Sequence, residues 1–583
     1  MALYAPAQNV QPGFDLSNYG VKVDADKRLI VVLAALEMAQ TADEAGKTVK
    51  LINTPLSAKG EQFRKTLLQD NASLNEDLRR RISTFVLQYK KRRPDATDAE
   101  IVSPFISMAY ALTPPPEMAD PVIVNELPGA LLDVLDFAPL AREFYRRSTI
   151  AAKLDDYIKA YRAEADGVLR QSSREMVSEL LDYLHTRPQL FASEKSRVQT
   201  KTSKGKTSIE KVETRTHERH FNIVPEMLAP QGNINFLNAR DDYYVVLPPD
   251  KDLSFSEVRR AFLQFVVDPL VLENSKELPA VREWVKPKLD ELRKSNPNIS
   301  PDILLTTARS LAAAVDVREA EFARSRIAFD QTRRKIDTLK TDAEKRAVTA
   351  EWERYKQSLA DDAVLKLSDD YDRGLVLAYF FADRLHEIEE SGFDIAASLK
   401  DMLASFDSAK ETARLAEMAD AKKQALQNRA QRKANPGPVI TVSESPVTVR
   451  LREIQKTIDA KNYAKASADL SQLLAQNPAE PRIYYNIGRV AGLAASAAED
   501  PDEQTKKLID AKEAYANVLR SATPSTDRGL LLVTYVALAR IYEHFDRIDE
   551  AVQLYDKALT VGSKDDAAFK EALAAKQRLI KQP

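Results

Sequence analysis

The sequence predicts a mainly α-helical chain with a smaller α/β portion near its middle and a C-terminal α-solenoid. Three observations lead there. Among 583 residues only 15 are glycine and 29 are proline, a balance that suits helices broken by stops better than a glycine-rich barrel or sandwich. Apolar residues recur at three-and-four spacing through most of the chain. Small and large residues repeat at matched offsets between Tyr463 and Leu559, the mark of internal repeats. At roughly 150 residues per domain the length implies about four domains. The 85 basic and 87 acidic side chains leave a formal net charge of −2. The chain as a whole therefore has neither the composition of a disordered polymer nor a field that gathers nucleic acid.

Residues 1–190 read as a largely helical region. Arg28 to Gln40 is a buried apolar element, and Ser73 to Arg93 carries the leucine, isoleucine and valine spacing of an amphipathic helix. Prolines at 114 to 116, 121 and 128 interrupt the pattern, which resumes from Leu131 to Leu190 with Phe137, Tyr145, Tyr157 and Leu184. Residues 191–320 bring strands. Between Glu194 and His220, threonine, serine and valine interleave with charge around a turn at Lys204-Gly205-Lys206, which predicts a β-hairpin. A further strand, Tyr243 to Leu247, precedes Pro248-Pro249 and a helix that begins near Ser254 or Ser256. Residues 321–433 form a charged helical arm. Phe322, Ile327, Phe329, Ile336, Leu339 and Tyr355 are spaced for long antiparallel helices among charges of alternating sign. Residues 434–446, with Asn435-Pro436-Gly437-Pro438, read as a linker to a last domain, 447–583.

That last domain resembles the tetratricopeptide (TPR) repeat. Tyr535, Leu538, Ala539, Tyr542, Ala551, Tyr555, Ala558 and Leu559 fall where this repeat packs two antiparallel helices through alanine-sized gaps. Tyr484, Ile487 and Gly488 open an earlier copy, completed by Ala511, Tyr515, Val518 and Leu519. A weaker copy uses Tyr463, Ala466, Leu470 and Leu473 and closes at Asn477-Pro478. Asp546 stands where the last copy usually has its inter-helix glycine, and Asp566 to Ile580 reads as a capping helix. The resemblance implies that these apolar residues are core. Binding would fall on the surface made by the first helix of each pair, which here offers Arg482, Tyr485, Asn486, Arg489, Val536, Arg540 and His544. Three arginines with an asparagine suit a carboxylate through forked hydrogen bonds. An acidic peptide or a C-terminal carboxylate is therefore the expected partner.

The helix after the Tyr243 to Leu247 strand supplies the second resemblance. Phe262 and Phe265-Val-Val-Asp-Pro-Leu-Val271 look similar to bacterial zincin-like putative peptidases, in which strand, turn and helix present H-E-x-x-H to a zinc ion. Asp26 to Leu36 resembles the opening element of that family, and Ser310 to Asp316 its later helix. The ligands have changed. Arg260, Ala261 and Gln264 occupy the H-E-x-x-H positions, and Arg309 the place of the third ligand. Without imidazoles or the glutamate base, this route can neither hold zinc nor activate water, so the resemblance implies a pseudopeptidase. An ordinary amphipathic helix whose Phe262, Phe265, Val266 and Leu270 enter a core is the competing reading.

Other chemistry has little to rest on. With no cysteine, thiol nucleophiles, disulfides and cysteine metal sites are excluded. P-loop, G-x-G-x-x-G and G-x-S-x-G patterns do not occur. His386-Glu387 begins an H-E pair that ends at Glu390, while His217 and His220 need carboxylate partners to meet a metal. Basic residues from Lys195 to Lys211 are diluted by glutamates and lack interleaved aromatics, against a nucleic-acid surface. The longest apolar run, Leu29 to Leu36, is far short of the roughly 20 residues that cross a bilayer. Met1 to Tyr19 carry no basic start before an apolar core, so the expectation is a soluble chain, cytoplasmic or exported from a bacterium with its signal removed. The expected function is a non-catalytic interaction or scaffold protein, with no cofactor. The alternatives are a metallopeptidase with atypical ligands among His217, His220 and His386, or a structural protein that assembles into homo-oligomers.

Overall fold

The structure, a computed structural model, describes residues 15–42, 47–121, 129–201, 208–239, 241–253, 256–389, 394–434, 446–478, 480–522, 528–562 and 567–581. It divides into two compact units, the first spanning Tyr19–Val439 and the second holding the helices from Pro446 onward. The expected linker residues 435–445 lie outside the described residues.

The first unit opens with β1 (Val21–Val23) and α1 (Lys27–Glu37), followed by an antiparallel pair, β2 (Gln40–Ala42) and β3 (Thr48–Lys50). Asp26 caps α1 by accepting from the Arg28 N–H, and every side chain from Leu29 to Leu36 is 3% exposed or less. A helix apolar on all sides belongs at the centre of a core. Around it pack α2 (Ala58–Asp70), α3 (Glu76–Lys91), α4 (Asp98–Ala111), α6 (Ala138–Arg147) and α7 (Ile150–Ala165), with α5 (Gly129–Leu135) against α4. The amphipathic α3 turns Leu78, Ile82, Val86 and Tyr89 inward, and Thr97 with Glu100 forms a capping box at the start of α4.

After α8 (Leu169–Leu184) come β4 (Phe191–Lys201) and β5 (Ser208–Glu218), paired antiparallel from Phe191 opposite Glu218 to Lys201 opposite Ser208. This is the expected hairpin; its turn, at Lys204-Gly205-Lys206, lies outside the described residues. A four-stranded sheet has the order β1, β6 (Phe221–Pro225), β8 (Asp242–Leu247), β7 (Asn235–Ala239). The first three strands are parallel, and β7 runs antiparallel along the edge of β8. The helix α9 (Val258–Glu273) lies against this sheet, with Phe262 at 5.4 Å from the Phe221 ring and Phe265 at 5.5 Å from Tyr243.

Next are α10 (Leu278–Ser295), α11 (Ile303–Thr338), α12 (Asp342–Asp372), α13 (Ala378–Ile388), α14 (Ile395–Ala404) and α15 (Ser408–Ala434). With 36 residues, α11 is about 54 Å long at 1.5 Å per residue. It is capped by Asp302 and packs along α9, α12 and α13. A capping box of Thr341 and Glu344 starts α12, which packs on α11, α13 and α15.

The second unit is a run of helices in which each packs on the next: α16 (Pro446–Asp459), α17 (Tyr463–Gln476), α18 (Pro481–Ala497), α19 (Pro501–Ser521), α20 (Arg528–His544), α21 (Ile548–Val561) and α22 (Ala567–Lys581). The α16–α17 and α20–α21 links close alike. Lys461 and Asp546 take left-handed φ of 57° and 56°. The next residue, Asn462 or Arg547, donates its N–H five residues back, to Thr457 or Tyr542. That is the Schellman closure normally given to glycine. Gly488 is needed for a different reason: a Cβ there would stand 2.8 Å from the Tyr515 ring, so α18 and α19 touch backbone to ring. The stack is solenoid-like. Among the described residues, no helix is long and apolar enough to cross a membrane.

Candidate functional site

Two places carry the residues singled out in the sequence. The first is the face of α9 that packs toward α8, α11 and α12. Arg260 donates Nη1 and Nη2 to the two oxygens of Asp370 at 2.6 and 2.8 Å, and Nε to Asp316 at 2.9 Å. Its neighbour Arg259 donates Nε to Asp316 at 3.2 Å, Nη1 to Glu179 at 2.6 Å and Nη2 to Glu319. The carboxylates come from α8, α11 and α12, and all four are nearly or fully out of solvent. Charges so placed are tolerable only when paired and hydrogen-bonded. Burial alone would raise the Asp316 carboxyl, but Lys366, Arg259 and Arg260 outweigh it and hold it at about 2. Glu319 moves the other way. Burial raises it, the negative charges of Glu179 and Asp316 add to the rise and Arg259 opposes it, and its Oε1 has no hydrogen-bond partner.

A guanidinium is thus locked where the zincin resemblance would place a histidine. Ala261 and Gln264, half-buried on the same helix, add no ionisable group. Arg309 is not drawn into the cluster. It is exposed on α11, two turns before Asp316, and its charge acts on Asp268, two turns along α9 from Arg260. The histidines also stay apart: His217 meets Asp241, and His220 lies 3.4 Å from Glu218 and 3.3 Å from Asp242. His386 Nδ1 is 2.7 Å from Arg318 Nη2 and 3.2 Å from Glu389, while Glu390 lies outside the described residues. Among the described residues no group of three or more histidine, aspartate or glutamate side chains is arranged to hold a metal ion.

The second place is in the C-terminal stack. Arg489 on α18 donates Nη1 to Gln455 Oε1 of α16 at 2.6 Å. Arg540 on α20 donates Nε at 2.5 Å to Glu571 Oε1 of α22, which also accepts from Nη2. Both arginines act on the same tyrosine pair, Tyr485 and Tyr515, whose rings are 5.6 Å apart. Burial raises both hydroxyls, and the positive charges of Arg489 and Arg540 oppose the rise. Beyond Arg540 lies a cavity of about 450 Å3, lined by Arg540, Glu543, Tyr555, Glu571, Ala574, Ala575 and Arg578. Its rim is laced by charge, with Glu543 accepting from Tyr555 Oη and from Arg578 Nη2.

The remaining candidates separate by burial. Tyr485 and Val536, 8% and 4% exposed, belong to the packed interior rather than to a contact surface. Arg482 pairs with Glu480 at the start of α18, and Asn486 donates Nδ2 to the Arg482 carbonyl at 2.8 Å. His544 is exposed, 5.5 Å from the Phe545 ring. Sequence reasoning missed Glu571 and Arg578. The signal was present: residues 571, 574, 575 and 578 recur at helical spacing, so charge and alanine share one face of α22.

A comparison with protein-family models, with curated proteins and with solved structures found no match to this chain.

Proposed function

We propose that this protein is a non-catalytic interaction protein of the TPR type, whose C-terminal helices hold an acidic or C-terminal segment of a protein partner. The observation that supports the reading is that two arginines of the same helical stack, Arg489 on α18 and Arg540 on α20, are held by neutral or exposed partners, with Arg540 on the wall of a cavity of about 450 Å3. Arginine forks give a planar, bidentate grip on carboxylate.

The body is read as a degenerate peptidase-like domain that retains shape without metal chemistry. A mixed sheet with one antiparallel edge strand, β7, beside helix α9 supports the zincin likeness. The Arg260 ion pairs with Asp316 and Asp370 support its degeneracy, since a fixed cation repels a second one.

The test is retention of a randomised acidic pentapeptide pool on immobilised full-length protein. An Arg489→Ala, Arg540→Ala double variant is expected to weaken retention at least about tenfold, the equivalent of 1.4 kcal/mol. Equal retention by parent and variant overturns the docking assignment. Stoichiometric zinc together with peptide hydrolysis in the purified chain overturns the reading of the body.

A further inference from the structure

The cavity between α20 and α22 is closed by the protein's own charges in a particular way. Arg540 is committed through Nε and Nη2 to a single oxygen, Glu571 Oε1. Arg578 is committed through Nη2 to Glu543 Oε2. Among the described residues this leaves Nη1 of Arg540, Nε and Nη1 of Arg578, and one acceptor, Glu571 Oε2, without a partner on side chains that line the cavity. Three donor nitrogens with one acceptor complement a group bearing a carboxylate and one nearby N–H. The C-terminal residue of a peptide is such a group, with its carboxylate and its own amide N–H two bonds apart. At about 450 Å3 the space falls in the roughly 300–1,000 Å3 range of ligand pockets, well beyond the roughly 30 Å3 share of one water.

Exposure sets which contact gives way. The Arg540 and Arg578 side chains are 62% and 58% exposed and Glu571 is 37% exposed, whereas Glu543 is 18% exposed and also holds Tyr555. The Arg540–Glu571 pair is the exchangeable one, since an exposed ion pair contributes little and is readily replaced.

We infer that Glu571 is an internal surrogate for the ligand, its carboxylate occupying in the free protein the place on Arg540 that the C-terminal carboxylate of a bound peptide takes over. This rests on the docking role proposed above and adds its ligand end and its regulation: α22 competes with the partner, and binding loosens one of the ties between α22 and α20.

The experiment uses full-length protein and a fluorescent randomised pentapeptide pool with free C-terminal carboxylates, alongside the same pool amidated. Glu571→Gln keeps the side chain's size and removes its charge. It is expected to retain the free-carboxylate pool about two- to fivefold more strongly than the parent, the scale of an exposed ion pair, and to leave the amidated pool unchanged. Asp556→Asn is the control, because Asp556 ties α22 to α21 through Lys576 without touching Arg540. It is expected to give no gain; an equal gain would mean that loosening α22 is enough, and would overturn competition. An unchanged Glu571→Gln affinity, with binding still lost in the Arg489→Ala, Arg540→Ala variant, overturns the surrogate role and spares the groove. Binding by neither parent nor Glu571→Gln overturns both.

Discussion

The same chemistry, arginine against carboxylate, does opposite work in the two units. Around α9, Arg259 and Arg260 are gripped by four carboxylates that are 12% exposed or less. Between α20 and α22, Arg540 and Arg578 meet Glu571 and Glu543 with the guanidinium groups mostly in water. A buried cation has nowhere to go if its partner is lost, so the first cluster fixes the arrangement of α8, α9, α11 and α12. An exposed cation trades its partner for solvent or for a ligand at little cost, so the second cluster can serve recognition. What distinguishes a structural charge network from a usable one is desolvation, not residue type.

The largest expected effect therefore belongs to the buried cluster of the first unit. Arg259→Ala leaves Glu179 and Glu319 without the cation they share, while Asp316 keeps Arg260 and Lys366, and should destabilise the first unit by about 3–5 kcal/mol, read by urea denaturation. A loss below about 1 kcal/mol would place this cluster in the same class as the exposed pairs and erase the contrast.

The next effect sharpens what burial does to a carboxylate that has no cation bonded to it. Glu226, at the end of β6, is fully buried and accepts from Tyr161 Oη at 2.6 Å and from the Leu228 N–H at 2.9 Å, while its Oε2 has no partner. Burial pushes its carboxyl from 4.5 up to about 7. Because the folded state holds this proton more tightly, the stability the group contributes is complete below about 4.5 and lost as the pH rises through about 7. The difference amounts to about 3 kcal/mol. Glu226→Gln keeps an acceptor for both donors and should remove this pH dependence, so the parent falls relative to the variant between pH 4.5 and 8. Parallel stability profiles for the two proteins would contradict it.

Much of the fold was legible from short-range pattern. The apolar run Leu29 to Leu36, bracketed by Lys27, Arg28 and Glu37, became the buried α1, and the Thr, Ser and Val alternation became β4 and β5. What escaped was structure made by distance. β1 has three residues, too few for the Val-Lys-Val alternation to stand out, and it pairs with β6 about 200 residues later, at Val21 opposite Phe221. The carboxylates that hold Arg259 and Arg260 lie on three other helices, and no local spacing announces them. Arg489 and Arg540 were picked out as candidates from the repeat-like spacing around them. Glu571 and Arg578 were not, because α22 was read as a cap, although its charged face has the spacing of a contact surface.

A smaller effect tests whether the repeat geometry is strained where the sequence departs from glycine. Asp546 holds a left-handed φ of 56° between α20 and α21. A non-glycine residue there costs about 1–2 kcal/mol, and glycine itself loses up to about 1 kcal/mol through added freedom in the unfolded chain. Asp546→Gly should therefore stabilise the second unit by about 1 kcal/mol or less in thermal denaturation, and a clear destabilisation would mean that the Asp546 side chain has a role of its own.

The smallest effect addresses the comparison directly. A double-mutant cycle on Arg540 and Glu571 should give a coupling within about 1 kcal/mol, shrinking further at high salt. The same cycle on Arg259 and Glu319 should give several times more and resist salt, since little ionic atmosphere reaches a pair whose side chains are 6% and 2% exposed. If the exposed pair proved as strongly coupled and as insensitive to salt as the buried one, Glu571 would be a fixed brace of α22. Arg540 would then be closed to any partner.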